Sequence, residues 1–191
     1  MILNQIYPGI FIAGGIVLNQ SVGGLNPRAV EKMIPLNTKI VWMPTRDAQV
    51  TTTQSQINLI DSDGKLKKEV IEILELIATA DIAIASGHVS PKEAIALFKT
   101  AKTMKIKRMI ATHPFGHTSE SEIATILQTG AKLEFTFMAS MPIAPTVERD
   151  GQFTLTPMEM ANEITKWGPE NCIVTTDVGQ WYNPHTAEGL R

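Results

Sequence analysis

The sequence predicts an α/β fold in which parallel strands alternate with helices, and three observations carry that prediction. Six apolar runs of strand length recur along the 191 residues; they are β-branched and continuous, as in parallel strands buried on both faces. Helix-start signatures fall between the runs. The composition, 43% hydrophobic and 19% charged with a net charge of −2, is that of one globular domain with a real core.

In chain order, the first run is "IFIAGGIVLN" from Ile10, followed by "NPRAVEKM", where Asn26 is an N-cap and Pro27 the first helical residue. The second run is "KIVWMPT" from Lys39. After it, "TRDAQVTTTQSQINLIDSDG", up to Lys65, is polar and without helical periodicity, and reads as a long loop of the kind that covers a site. In "KKEVIEILELIATA" the residues Val70, Ile73, Leu74 and Ile77 share one helical face that packs on the sheet. "DIAIASGH" from Asp81 is the third run, and "SPKE" at Ser90–Glu93 opens a helix with a capping box and Pro at its first position. "RMIATHP" from Arg108, "SESE" at Ser119–Glu122 and "KLEFTFM" from Lys132 repeat the alternation. "PIAPTVERDGQFTLTP" then reads as a second loop with a small hairpin at Asp150-Gly151, before the capping box "TPME" at Thr156–Glu159 and the last run, "CIVTTDVG" from Cys172. Right-handed crossovers joining such strands give either an open doubly wound sheet or a closed barrel.

Composition also narrows the partners. A near-neutral charge without a Lys/Arg stripe predicts neither nucleic acid nor an anionic membrane surface as partner. The single Cys172 excludes an internal disulfide framework and a cysteine zinc cage. The opening "MILNQIYPGIFIAGG" has no basic segment and is broken by Pro8 and Gly9, and no apolar stretch approaches the ~20 residues that span a bilayer. The expected setting is cytoplasmic.

Chemistry in a parallel α/β fold sits at the C-terminal strand ends. Four of the six runs bring His88, His113, Glu134 and Asp177 there or close by. His88 and His113 are 25 positions apart, about one βα unit, so adjacent strands would converge them on one point. Neutral imidazole and carboxylate are zinc ligands, which makes His88, His113 and Asp177 a candidate metal trio, with a buried polar network as the structural alternative. Glu134 lies mid-strand and reads equally as a structural acid paired with Arg108 or a lysine. His117 in "PFGHTSE" is a loop residue able to line a pocket, His185 reads as surface, and Asp47 and Asn19 are further pocket candidates at the ends of the first two runs. The glycines of "GGIVLNQSVGG" lack dinucleotide and Walker spacings and are explained by tight turns and close backbone approach, although an open sheet binding a phosphorylated ligand at this turn stays open as a third reading. No G-x-S-x-G elbow occurs, Cys172 reads as core, and the nine methionines read as packing.

"GGIVLNQSVGGLNPRAVE", "KIVWMPT", "ASGHVSPKEAIALFKTAK", "MIATHP" and "IVTTDVGQ" together resemble an uncharacterised branch of the amidohydrolase superfamily, metal-dependent hydrolases on a (β/α)8 TIM barrel. The resemblance implies that the chain is strands three to eight of such a barrel, a single domain incomplete at both ends. His88 would end strand five, His113 strand six and Asp177 strand eight, with Glu134 on strand seven. It implies a divalent cation, zinc or else manganese or iron, a small-molecule substrate, and hydrolysis of an amide, ester or lactone with Asp177 as ligand or general base. The superfamily's H-x-H pair of strand one and its outermost last helix have no counterpart, and Lys39 stands at the wrong end of its strand to replace the metal-bridging residue of strand four. Open barrel edges invite pairing, so a homo-oligomer, or completion by further barrel segments, is expected. A fragment or assembly protein without turnover is the alternative to a hydrolase.

Overall fold

The computed structural model describes residues 5–6, 8–9, 11–48, 57–140 and 155–177. The predicted hairpin at Asp150-Gly151, His185 and the chain after Asp177 lie outside these residues. Strands and helices alternate: β1 (Gly14–Val17), α1 (Pro27–Met33), β2 (Thr38–Trp42), α2 (Lys68–Ala80), β3 (Ala83–Ala85), α3 (Pro91–Thr103), β4 (Met109–Ala111), α4 (Glu120–Thr129), β5 (Lys132–Thr136), α5 (Pro157–Trp167) and β6 (Cys172–Thr175).

The helices begin where their sequences announce it. Asn26 caps α1 by accepting from the Ala29 amide, and Ser90, Ser119 and Thr156 each close a reciprocal capping box with Glu93, Glu122 and Glu159. Val70, Ile73, Leu74 and Ile77 are the buried stripe of α2, and that helix stops at Asp81, which takes a left-handed conformation (φ 49°). Asp81 therefore belongs to a helix cap and not to a strand. The strands are shorter than the apolar runs, since the last residues of each run leave the ladder and form the loops that carry the polar side chains.

All six strands are parallel and lie in the order β1-β2-β3-β4-β5-β6. A doubly wound sheet reverses its strand order at a switch point, and this one never does, so the open doubly wound reading is corrected. Five consecutive crossovers of the right-handed kind that parallel βαβ units take put every helix on one face, which is the winding of a TIM barrel; the sheet is an open, partial (β/α)8-type wall. The main core lies between that face and the helices: Ile16, Val41, Ile84, Leu133 and Phe135 from the strands meet Val30, Ile73, Leu97, Phe98 and Ile126 from the helices. The register places Val17, Ile40, Trp42, Ile110 and Ile173 on the opposite face, where each is only half-buried. Gly15 shares that face, and a Cβ on it would stand 2.3 Å from the Trp42 ring, so the indole can lie against β1 only because no side chain is there. Close approach also accounts for this glycine of the "GGIVLNQSVGG" stretch without a phosphate. Among the described residues no helix is long and apolar enough to cross a membrane.

Candidate functional site

The C-terminal ends of the strands carry two polar groupings. At β1 and β2, Asn19 and Asp47 are committed to the backbone. The Asn19 carbonyl oxygen accepts from the amides of Thr45 (2.9 Å) and Asp47 (3.3 Å), and its Nδ2 donates to Thr45 Oγ1 at 2.9 Å. Asp47 Oδ2 accepts from the Gln20 amide at 2.7 Å. The two predicted pocket residues therefore hold the first two strand ends together.

At β3, β4 and β6 the polar side chains turn to one another. Gly87, one residue before His88, has φ 60°, and a Cβ there would stand 2.3 Å from the Met43 carbonyl oxygen and 2.4 Å from that of Pro44. Only glycine lets the chain pass so close to the end of β2, where the His88 amide donates to Pro44 O at 2.9 Å. His113 (φ 22°) and Asp177 (φ 49°) both lie at positive φ, a conformation that costs a non-glycine residue on the order of 1–3 kcal/mol and that collects at functional sites. The loop after β4 is pinned by Phe115, stacked on Phe135 of β5 with centroids 4.3 Å apart.

These backbones bring His88 Nε2 to 3.2 Å from His113 Nε2, the rings tilted by 57° with centroids 4.8 Å apart. Asp177 Oδ2 lies 3.8 Å from the same His113 nitrogen. Glu134, predicted as the partner of Arg108 or a lysine, instead accepts from Thr175 Oγ1 at 3.0 Å on the neighbouring strand; Arg108 forms a forked pair with Asp81 at the other end of the sheet. Cys172 packs against the core and donates to Gly168 O. Two clefts, one between α1 and α2 and one between the loop after β2 and the start of α3, lie apart from the cluster, and none of the histidines lines either.

Burial sets the protonation of the group. His88 is lowered to about 4, by burial first and then by the charges of His113 and His117. His113 is also lowered by burial, with the Asp177 carboxylate pulling it back up. His117, an exposed residue, is lowered by desolvation and by the nearby His113, which places this loop histidine within electrostatic reach of the pair. Glu134 is raised to about 7 by burial, with the Thr175 hydrogen bond opposing the shift and the Asp177 charge adding to it. Asp177 is raised by burial against the pull of His113. Both paired imidazoles are thus held neutral, the form that ligates a metal or shares one N–H between two ring nitrogens.

No group of three His, Cys, Asp or Glu among the described residues is arranged as a ready ligand set. The pair itself nevertheless fits two legs of one. Tetrahedral bonds of ~2.0–2.1 Å set two imidazole nitrogens roughly 3.3 Å apart, against the observed 3.2 Å. Asp177, at 3.8 Å from His113, would have to draw in by about half an ångström to stand as a third leg at that spacing. The sequence pointed to the trio through its strand-end positions, and it offered His117, four residues after His113, as a loop residue able to line a pocket; the structure places it beside the pair.

A model of the DUF6282 family, a family of unknown function, matches residues 1–135. The search of curated proteins gave no match. Among solved structures, an organophosphorus hydrolase from Deinococcus radiodurans is similar, with TM-score 0.56 and 12% identity over 97% of this chain and 60% of that one. A lactonase template engineered for organophosphate hydrolysis gives TM-score 0.57 and 12% identity over 97% of this chain and 62% of that one. A mutant of a Deinococcus radiodurans PTE-like lactonase gives TM-score 0.54 and 11% identity over 92% of this chain and 57% of that one. At such identities the likeness is one of fold, and the chain spans about 60% of the length of the structures it matches.

Proposed function

The chain belongs to the DUF6282 family, of unknown function, and we propose that it is a metal-dependent hydrolase of amidohydrolase type, acting on an amide, ester or lactone bond. The observation that carries this reading is the pair of neutral imidazoles with facing Nε2 atoms at 3.2 Å, beside the Asp177 carboxylate. Its further support is that the structures of similar fold are a hydrolase and a lactonase, together with the superfamily resemblance of the strand-end histidines.

His88 and His113 would hold the ion, with Asp177 as third ligand or as the base. A zinc-class cation, or manganese or iron, supplies Lewis acidity toward a carbonyl and an acidified water when bound. Asp177, next to His113, accepts the proton of the attacking water and returns it to the leaving group. Glu134 is within electrostatic reach of Asp177, and its raised proton affinity suits it to hold a proton near neutral pH. Burial of both imidazoles keeps them unprotonated, so the ligands need no deprotonation at pH 7.

Metal content by plasma emission spectroscopy, on protein purified without chelators, tests the reading beside His88→Ala, His113→Ala and Asp177→Ala. Near-stoichiometric zinc, manganese or iron that all three variants lose is the expected result, and a screen of lactones, esters and amides follows from it. Folded protein that takes up none of the three metals overturns the proposal.

The half-buried apolar face and the edges β1 and β6, which pair with no further strand among the described residues, favour a second reading, in which the chain acts through assembly without turnover. A second copy, or further βα units, would then cover that face and complete one barrel domain. Sedimentation analysis separates this from a monomeric enzyme.

A further inference from the structure

Two hydroxyl residues outside the cluster stand where the ladder between β3 and β4 ends. The regular parallel pattern runs through the Ile84 amide to Arg108 O and the Ser86 amide to Ile110 O, both at 2.9 Å. Its two-residue repeat would next join the His88 amide to the Thr112 carbonyl. That bond is replaced: the His88 amide turns to Pro44 O, just past the end of β2 and on the other side of β3. Side chains take over between β3 and β4. The Thr112 amide donates to Ser86 Oγ at 2.9 Å, and the Gly87 amide donates to Thr112 Oγ1 at 3.1 Å. Ser86 Oγ in turn donates to the Gly87 carbonyl at 3.3 Å. Ser86 and Thr112 are 5% and 7% exposed, so neither water nor another strand end would replace these bonds at no cost.

We propose that Ser86 and Thr112 are positioning residues: their reciprocal clasp locks the two strand ends at the place where the chain leaves the ladder, and so sets His88 Nε2 against His113 Nε2. Thr112 immediately precedes His113, whose positive φ persists only where its surroundings over-determine it. Ser86 and Gly87 immediately precede His88. Hydroxyls suit the task because each accepts from an amide while keeping a hydrogen to donate, which lets the backbones diverge by a side chain's width without orphaning an N–H. The proposal concerns the imidazole pair itself; only its second measurement rests on the metal reading above.

The first measurement is the ring-nitrogen NMR correlation of the histidines in the full chain without added metal, for the native protein, Thr112→Val, Ser86→Ala and Thr112→Ser, with folding checked by circular dichroism. The expected result is that Thr112→Val and Ser86→Ala shift the His88 and His113 ring signals and that Thr112→Ser restores the native pattern. Asn19→Ala, which removes hydrogen bonds at the β1–β2 ends, controls for lost stability and is expected to leave the pair unmoved. If Thr112→Val does not fold, Ser86→Ala carries the comparison. Unchanged ring signals in the folded variants overturn the proposal, whatever their stability. The second measurement is zinc affinity, expected to fall at least tenfold in Thr112→Val and to return in Thr112→Ser. Shifted rings in a native protein that binds no zinc would leave the clasp standing and remove the metal reading.

Discussion

The strand ends of β1–β2 and of β3–β4–β6 occupy equivalent positions in one sheet, yet their polar side chains do opposite things. At the first, Asn19 and Asp47 satisfy backbone amides and hold the two strand ends together. At the second, the Thr112, Gly87 and His88 amides are satisfied by Ser86, Thr112 and the Pro44 carbonyl, and His88, His113 and Asp177 face one another at turns where Gly87, His113 and Asp177 take positive φ. The difference teaches that a strand-end polar residue is a candidate for chemistry when other groups have already taken over its structural duty.

The largest effect should come from the backbone that permits the second arrangement. Gly87→Ala sets a Cβ against two carbonyl oxygens at a positive φ, and a loss on the order of 3 kcal/mol or more is expected in urea unfolding. Gly24→Ala on the first side, also at positive φ but with only Ile57 Cδ1 at 3.4 Å, should cost about 1 kcal/mol. Similar costs for the two would erase the contrast.

Next in size is the division between stability and site. Asn19→Ala removes three hydrogen bonds and should lower stability by about 1–3 kcal/mol while leaving metal content unchanged. His113→Gly should abolish metal binding yet hold or raise stability by up to about 1 kcal/mol, because glycine relieves the positive φ. A large loss of stability in His113→Gly would mark the pair as a structural network.

The smallest effect is a slope with pH. A histidine lowered to about 4 binds a proton more readily unfolded than folded, so its stabilising contribution is present above pH 6.5 and lost as the pH falls toward 4. Glu134, raised to about 7, does the reverse: the folded state holds its proton longer, and stability is lost as the pH rises from 4.5 through 7. The two slopes oppose each other between pH 4.5 and 6.5. Glu134→Gln should therefore steepen the acid-side loss over that window by up to roughly 2 kcal/mol, and His88→Asn should flatten or invert it. Parallel pH profiles for the native protein and Glu134→Gln would show that Glu134 titrates normally in the fold.

What the sequence determined by itself is local and periodic. The buried stripe of Val70, Ile73, Leu74 and Ile77, the three capping boxes and the Asn26-Pro27 start follow from residues within one or two turns of each other, so they are written in short words of sequence. The alternation of strands and helices follows from the same periodicity, and it puts His88, His113 and Asp177 at one end of the sheet. Tertiary structure alone decided between winding modes, because strand order is a relation among distant segments: the unreversed order of six strands is not encoded in any one of them. It also decided which polar residues are committed. Asn19 meets Thr45 across 26 positions and Glu134 meets Thr175 across 41, whereas the pairing proposed for Glu134 with Arg108 fails because Arg108 lies at the opposite end of the sheet, against Asp81. Position along a strand tells which end a side chain occupies. Which neighbour it meets there depends on register, and register is set by the packing of the whole sheet.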